Sequence, residues 1–127
     1  MHPDKLKNVL ALSSQDRYWY FVRKVADSQL VWGLQGEQNR WIICEPQTGI
    51  VVYPLWPEKE YAEASKTGSW ADTYVSNIPI DTFLTKWLPK MHENNEKVGV
   101  FWDLNGLGVD IDPLVLAADL LEECENY

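Results

Sequence analysis

Apolar side chains recur at helical spacing in five segments of the chain. Residues 4–12 are predicted to form a short helix, and Ser13 or Ser14 is placed to cap a second one. A third helix is predicted over 58–66 and ends at Gly68. The second helix should bury one face through Tyr18, Phe21, Val22 and Val25.

Two further helices are predicted in the second half of the chain. One begins at Pro79 or Asp81 and should end or kink at Pro89, because proline cannot donate the helical hydrogen bond. The last is predicted to be capped by Asp112 and opened by Pro113. Its expected buried stripe consists of Leu114, Ala117, Ala118 and Leu121.

Aromatic and β-branched residues concentrate between these helices and predict strands. The expected strands cover 29–34, 40–45, 50–53, 72–78, 97–104 and the residues that follow Gly106. "PQTG" should join the second and third as a hairpin, and Pro54 should stop the third. Asn105-Gly106 predicts a two-residue turn that pairs Leu104 with Leu107, Trp102 with Val109, and Val100 with Ile111.

Strands joined by short turns predict an α+β fold, with a mostly antiparallel sheet of five or six strands and helices packed against it. A chain of 127 residues is typical of a single domain, so we expect one domain over 1–127. Residues 1–13 are expected to form a loosely attached N-terminal helix.

The charge of the chain is unevenly distributed and bears on its partners. The net charge is −8, and after Lys97 there are seven acidic residues and no Lys or Arg. Such a surface repels nucleic acid and anionic lipid and attracts a basic protein. No export signal or membrane span is apparent, and two cysteines are too few for a disulfide scaffold, so we expect a cytoplasmic protein with reduced thiols.

Four stretches resemble a known family. They are "RYWYFVRKVADSQLVWGL", "YPLWPEKEYAEA", "IPIDTFLTKWLPKM" and "VGVFWDLNGLGVDIDPL". In this order they resemble the small bacterial proteins grouped as domain of unknown function 2750, over roughly residues 14–120. The resemblance implies a bacterial, single-domain, intracellular protein and carries no activity. Such proteins are expected to have "VFP" where this chain has "VFW", which adds Trp102.

No residue set predicts catalysis, a metal site or a cofactor. His92 lacks a second histidine four residues on, and the cysteines Cys44 and Cys124 lack metal-ligand spacing. A calcium loop from Asp103 would place Leu107 and Leu114 where oxygen ligands are needed. No serine lies in a nucleophile motif, and no glycine-rich phosphate loop is present.

Two candidate sites remain. The predicted hairpin places Asp103, Asp110 and Asp112 on one face, which suits a cation or a basic partner. In "YPLWP" the two prolines hold Trp56 at a stiff corner, where it either plugs the core or lines a binding cleft. The candidate cleft consists of Trp56, Tyr61, Trp70 and Trp102.

Three functional hypotheses follow. The first is a non-enzymatic protein-binding module, with an immunity- or antitoxin-like role toward a basic partner as one form of it. The second is a small-molecule binder or hydrolase-like enzyme that has a Trp-lined pocket and paired carboxylates. The third is a homodimer that buries its exposed tryptophans.

Overall fold

The computed structural model describes residues 1–45 and 47–127. Pro46, expected in the turn of the 40–53 hairpin, lies outside the described residues. Within them the chain forms five helices. They are α1 Pro3–Leu10, α2 Ser14–Ser28, α3 Lys59–Ala64, α4 (the consecutive segments Ile80–Thr82, Phe83–Trp87 and Leu88–Glu93) and α5 Pro113–Cys124.

The predicted caps of α2 and α5 are confirmed. The side chain of Ser13 accepts a hydrogen bond from the amide of Asp16 at 3.1 Å. Asp112 does the same for the amide of Leu114 at 2.8 Å. Each cap satisfies an amide that has no partner inside its helix, and this fixes where the helix begins.

Five strands in two small sheets complete the described fold. They are β1 Leu30–Gln35, β2 Val52–Leu55, β3 Tyr74–Pro79, β4 Lys97–Val100 and β5 Val109–Ile111. β1 pairs antiparallel with β3, while β2 pairs parallel with β4, and β4 pairs antiparallel with β5. The α+β class is confirmed, but the strands do not form one mostly antiparallel sheet.

The hairpin predicted over 40–53 is wrong. Among the residues described there, only one pair forms, with Cys44 and Val52 exchanging two backbone hydrogen bonds of 2.8 Å. Upstream of Cys44 the chain instead follows the end of β1, since the amide of Ile42 donates to the carbonyl of Leu34. Residues 41–44 therefore cross from the first sheet to the second.

Trp56 joins the two sheets through its backbone. Its amide and carbonyl exchange hydrogen bonds of 2.7 and 2.9 Å with Trp32 of β1. Contrary to expectation, Pro54 lies inside β2. The backbone groups of Val52 and Trp56 point away from β4, toward Cys44 and Trp32 respectively. Because backbone groups alternate along a strand with a period of two, the nitrogen of Pro54 also points away from β4. Proline is tolerated there because pairing with β4 does not require its amide.

The predicted Asn105-Gly106 hairpin has a different register. Val100 pairs with Val109, and the strand stops there because Phe101 adopts a left-handed backbone (φ 50°) and turns its ring into the core. Residues 101–108 form a loop instead of continuing the ladder to residue 104. A turn forms here, but it is not the predicted two-residue turn. Gly106, at φ 76°, donates its amide to the carbonyl of Asp103, and the amide of Asp103 donates to the carbonyl of Leu107, so three residues separate the paired ends.

Helix α4 continues past Pro89, although Pro89 was expected to end or kink it. The segment Phe83–Trp87 before the proline is π-helical, and the amide of Leu88 donates five residues back to Phe83. This wider turn lets the helix continue although Pro89 has no amide to donate. Phe83, Leu88 and Met91 of α4 are buried in the core.

The stripe predicted for α5 is wrong for Leu114, Ala118 and Leu121, whereas Ala117 packs against the core. The residues of α5 that are buried in the core are Pro113, Leu116 and Leu120. Leu114, Ala118 and Leu121 lie on the opposite side and are exposed. Two stripes of leucines occur on this helix, and the sequence alone does not show which of them is buried.

Trp56 is the central residue of the core and is fully buried, which confirms its interpretation as a core plug. Its indole N–H donates to the carbonyl of Trp102 at 3.1 Å. We expect Trp56→Phe to lower the free energy of unfolding by about 2–3 kcal/mol, because it leaves a cavity and an unpaired carbonyl. Urea unfolding would measure the change.

The matched control is Trp19→Phe. Trp19 is 38% exposed, so its replacement should change stability by less than about 0.5 kcal/mol. Equal effects of the two substitutions would contradict the central role of Trp56.

Candidate functional site

Arg17 is buried beneath the loop that carries the predicted acidic face. Its side chain is 3% exposed. Nε donates to the carbonyl of Phe101 at 3.0 Å, and Nη2 donates to the carbonyl of Leu107 at 2.8 Å. Arg17 therefore attaches both ends of the 101–107 loop to α2.

The other donors of Arg17 attach the N-terminal segment. Nη1 donates to the carbonyls of Leu10 and Leu12, and Nη2 also donates to the hydroxyl of Ser14 at 3.1 Å. The guanidinium thus uses all its donors on oxygens, which explains how a cation is tolerated inside the protein. Arg17 is a structural residue here and cannot serve a basic docking patch.

Each predicted acid already has a partner within the protein. Asp103 accepts the amides of Asn105 and Leu107 at 2.9 and 3.0 Å, and its other oxygen lies 3.9 Å from Nη2 of Arg17. Asp110 accepts the indole N–H of Trp102 at 2.8 Å. Asp112 caps α5. The three carboxylates shape the loop and the helix start that they belong to.

The additional tryptophan, Trp102, lies over two glycines. A Cβ atom built on Gly99 would fall 2.5 Å from Cε2 of this ring, and one built on Gly108 would fall 2.5 Å from Cδ1. Only glycine leaves room for the indole at either position. With Asp110 holding its N–H, the ring of Trp102 is fixed in a half-buried slot.

The four residues of the predicted aromatic cleft do not form one cleft: Trp56 and Tyr61 lie in the core and Trp70 packs against it, whereas the ring of Trp102 lies over Gly99 and Gly108. Trp56 and Tyr61 are both 0% exposed. Trp70 meets the ring of Trp56 edge to face, with centroids 6.0 Å apart, and Tyr61 packs on Phe101 at 4.7 Å. Trp56 and Tyr61 offer no surface to a ligand in this structure, while Trp70 and Trp102 are half-buried.

The exposed leucines of α5 form the apolar surface that the sequence reasoning missed. We call this surface the α5 outer face and define it as Leu114, Val115, Ala118 and Leu121. Leu114, Val115 and Leu121 are 46%, 50% and 56% exposed. Leu114, Ala118 and Leu121 follow one another at helical spacing, so they form a continuous ridge.

Carboxylates border the outer face at the C-terminal end of the helix. Glu122 and Glu125 are exposed, and helical spacing places both on the side of Leu121. The last turn of α5 contains no basic residue. Because the C-terminus of a helix carries partial negative charge, acids there destabilise the helix by about 0.3–1 kcal/mol each. Helix α5 therefore combines exposed leucines with negative charge at its C-terminal end, where negative charge is unfavourable.

A second surface that the sequence analysis missed is a cavity with aromatic walls. Trp41, Tyr53 and Trp87 line it. The sequence did not single them out, because the apolar neighbours of Trp41 and Trp87 are typical of core residues.

Among the described residues, no group of three or more His, Cys, Asp or Glu side chains is arranged to hold a metal ion. No helix of the described chain is long and apolar enough to cross a membrane.

The fold and these surfaces define a small α+β protein that has an apolar helix face bordered by carboxylates and a cavity with aromatic walls. The sequence model described as "Protein of unknown function (DUF2750)" matches residues 18–120. The chain belongs to this family. No curated protein and no solved structure matches the chain.

The Arg17 network generates a stability prediction. We expect Arg17→Met to lower the free energy of unfolding by about 2–4 kcal/mol, because the buried carbonyl of Phe101 and three part-buried carbonyls lose a hydrogen-bond donor. Arg17→Lys should be nearly as damaging, since an ammonium cannot reach oxygens on all sides as the planar guanidinium does. Denaturant unfolding of both variants tests this.

Arg23→Met is the control, because Arg23 lies on the same helix and is exposed. It should change stability by less than about 0.5 kcal/mol. If Arg17→Lys were as stable as the unchanged protein, the network would not be the source of the stability.

Proposed function

We propose that the protein is a binding module that docks a basic amphipathic segment of another protein on the α5 outer face. The single observation that carries the proposal is the combination on one helix of an outward leucine ridge and carboxylates at the end where they destabilise it. A partner with apolar and cationic side chains would relieve both unfavourable features.

The leucine ridge supplies the apolar part of the binding energy. A fully buried leucine gains roughly 1.5–3 kcal/mol over an exposed one, so half-exposed residues such as Leu114 and Leu121 gain about half as much on docking. A ridge of this kind typically fits between the side chains of an approaching helix. The apolar ridge thus favours a helical segment over a flat, polar surface.

The charge of α5 selects among helical partners. Glu122 and Glu125 border the ridge, and the helix dipole adds negative potential at the same end. Lys or Arg at the matching end of a partner would neutralise both and would also speed association. No Lys or Arg follows Lys97, so α5 of a second copy would offer Glu122 and Glu125 no cationic side chain. The charge therefore favours a different, basic partner over a homodimer.

A peptide pair tests the proposal directly. One labelled peptide carries a leucine face flanked by lysines, and the other carries the same leucine face flanked by glutamates. We expect the lysine peptide alone to bind, with weaker binding at high salt because the attraction is screened. Fluorescence anisotropy at two salt concentrations measures both effects.

Neutralising the acids separates function from stability. In Glu122→Gln/Glu125→Gln the helix end loses two unfavourable charges, so stability should rise by about 0.5–1 kcal/mol. Affinity for the lysine peptide should nevertheless fall by about three- to tenfold. A variant that gains stability and loses binding identifies acids that serve a partner.

Two controls match these changes. Glu37→Gln/Glu45→Gln alters the net charge equally at exposed positions outside α5 and should leave peptide affinity unchanged. Leu114→Ser should weaken binding, whereas Ile43→Ser should not, although the two residues are 46% and 45% exposed. Equal binding of both peptides, or self-association that Leu114→Ser abolishes, would reject the proposal.

A further inference from the structure

A cavity of about 460 Å³ lies between β2, α4, the crossing residues 41–44 and the adjacent Arg40. Its volume falls within the range of about 300–1,000 Å³ that is typical of small-molecule sites. Its aromatic wall consists of Trp41, Tyr53 and Trp87. This cavity shares no lining residue with the α5 outer face.

The aromatic wall is fixed by contacts that do not involve a ligand. Trp41 meets Trp87 edge to face at 5.0 Å, and Trp87 meets Tyr53 at 5.8 Å. The ring of Trp41 also lies against Gly33, where a Cβ atom would fall 2.9 Å from Cζ3. A wall that is already rigid loses little entropy when a ligand stacks on it.

Positive charge surrounds the cavity although the whole chain carries −8. Arg40, Lys86 and Lys90 line it together with one carboxylate, Glu96. Within the described residues none of these three cations forms an ion pair, whereas Lys24 and Lys66 do. Three exposed cations with no internal partner can therefore meet an anion at the cavity mouth.

Indole N–H groups add possible donors to the wall. Trp56 and Trp102 donate theirs inside the protein. Trp41 and Trp87 make no such bond among the described residues, yet no buried side-chain nitrogen there lacks a partner. Both indole N–H groups therefore reach solvent and can donate to a ligand oxygen. Burial, with a contribution from Glu96, raises the pKa of Tyr53, so its hydroxyl stays protonated and can donate as well.

We propose that this cavity binds a small molecule made of a planar aromatic group and an anionic substituent. The rings of Trp41 and Trp87 are nearly perpendicular, so the aromatic group stacks on one of them and meets the other edge to face. The anion lies between Arg40, Lys86 and Lys90. The aromatic wall provides the apolar contact, while the three cations select for negative charge.

Three ligands that share one ring system test this assignment. They are 2-naphthoate, the neutral 2-naphthalenemethanol and the cationic 2-naphthylmethylamine. We expect 2-naphthoate to bind most tightly and the amine most weakly. The seven indole N–H signals of the protein, observed by ¹H–¹⁵N NMR, report where the ligand sits.

The signals of Trp41 and Trp87 should move on titration with 2-naphthoate, and those of Trp56 and Trp102 should not. Trp41→Phe and Trp87→Phe assign the two signals and keep an aromatic ring in each position. No movement of either signal at millimolar 2-naphthoate would overturn the proposal.

Charge variants test the selection for an anion. Lys86→Gln/Lys90→Gln should reduce 2-naphthoate affinity by about five- to tenfold and leave the affinity of the neutral alcohol unchanged. Lys5→Gln/Lys7→Gln on α1 is the control, because it changes the net charge equally at exposed positions outside the cavity. Equal losses in the two double variants, or equal affinity for the three ligands, would overturn the assignment.

Discussion

The buried guanidinium of Arg17 is the interaction on which the architecture depends. It lies where α1, the start of α2 and the 101–107 loop meet. Its donors reach carbonyls of α1 and of the loop, and the hydroxyl of Ser14 at the start of α2. The carbonyl of Phe101 belongs to irregular backbone and that of Leu10 to the end of α1, so a sheet or helix bond satisfies neither. The carbonyl of Leu107 accepts the amide of Asp103 as well as Arg17. A single arginine thus replaces the regular hydrogen bonding that the loop lacks. This places the loop, and with it the beginning of α5, against the core.

The tryptophans show how close packing fixes the rest. Trp102 and Trp41 each rest on a glycine that admits no side chain, Gly99 and Gly33 respectively. Trp56 links the two sheets through its backbone and donates its N–H across the core. Rings held by backbone contacts lose little freedom when they bind something further. Packing of an indole ring on a glycine therefore stabilises the fold at Trp102 and holds the ring of Trp41 in place as a wall of the cavity.

Local signals in the sequence predicted what local physics determines. The cap at Ser13, the cap at Asp112 and the buried face of α2 need only neighbouring residues, and all are confirmed. The errors arose where distant partners decide. The composition of segment 40–45 predicts a strand of a hairpin. In the fold, Ile42 bonds to Leu34 of the first sheet and Cys44 bonds to Val52 of the second. Arg17 reads as a surface residue, because its carbonyl partners lie up to ninety residues away.

The candidate site residues of the sequence differ from the surfaces that the fold exposes, for a related reason. Asp103 and Asp110 were singled out as available carboxylates, but each holds a nearby amide or indole N–H, which only the folded loop reveals. Conversely, two leucine stripes on α5 satisfy the same helical period, and packing against α2 and α4 decides which becomes the surface. Exposure is a property of the assembled fold, so a binding face on an amphipathic helix is recognised only once its buried face is known. On α5 the buried face is complete with Pro113, Leu116 and Leu120, which leaves the outer leucines without a role in the core.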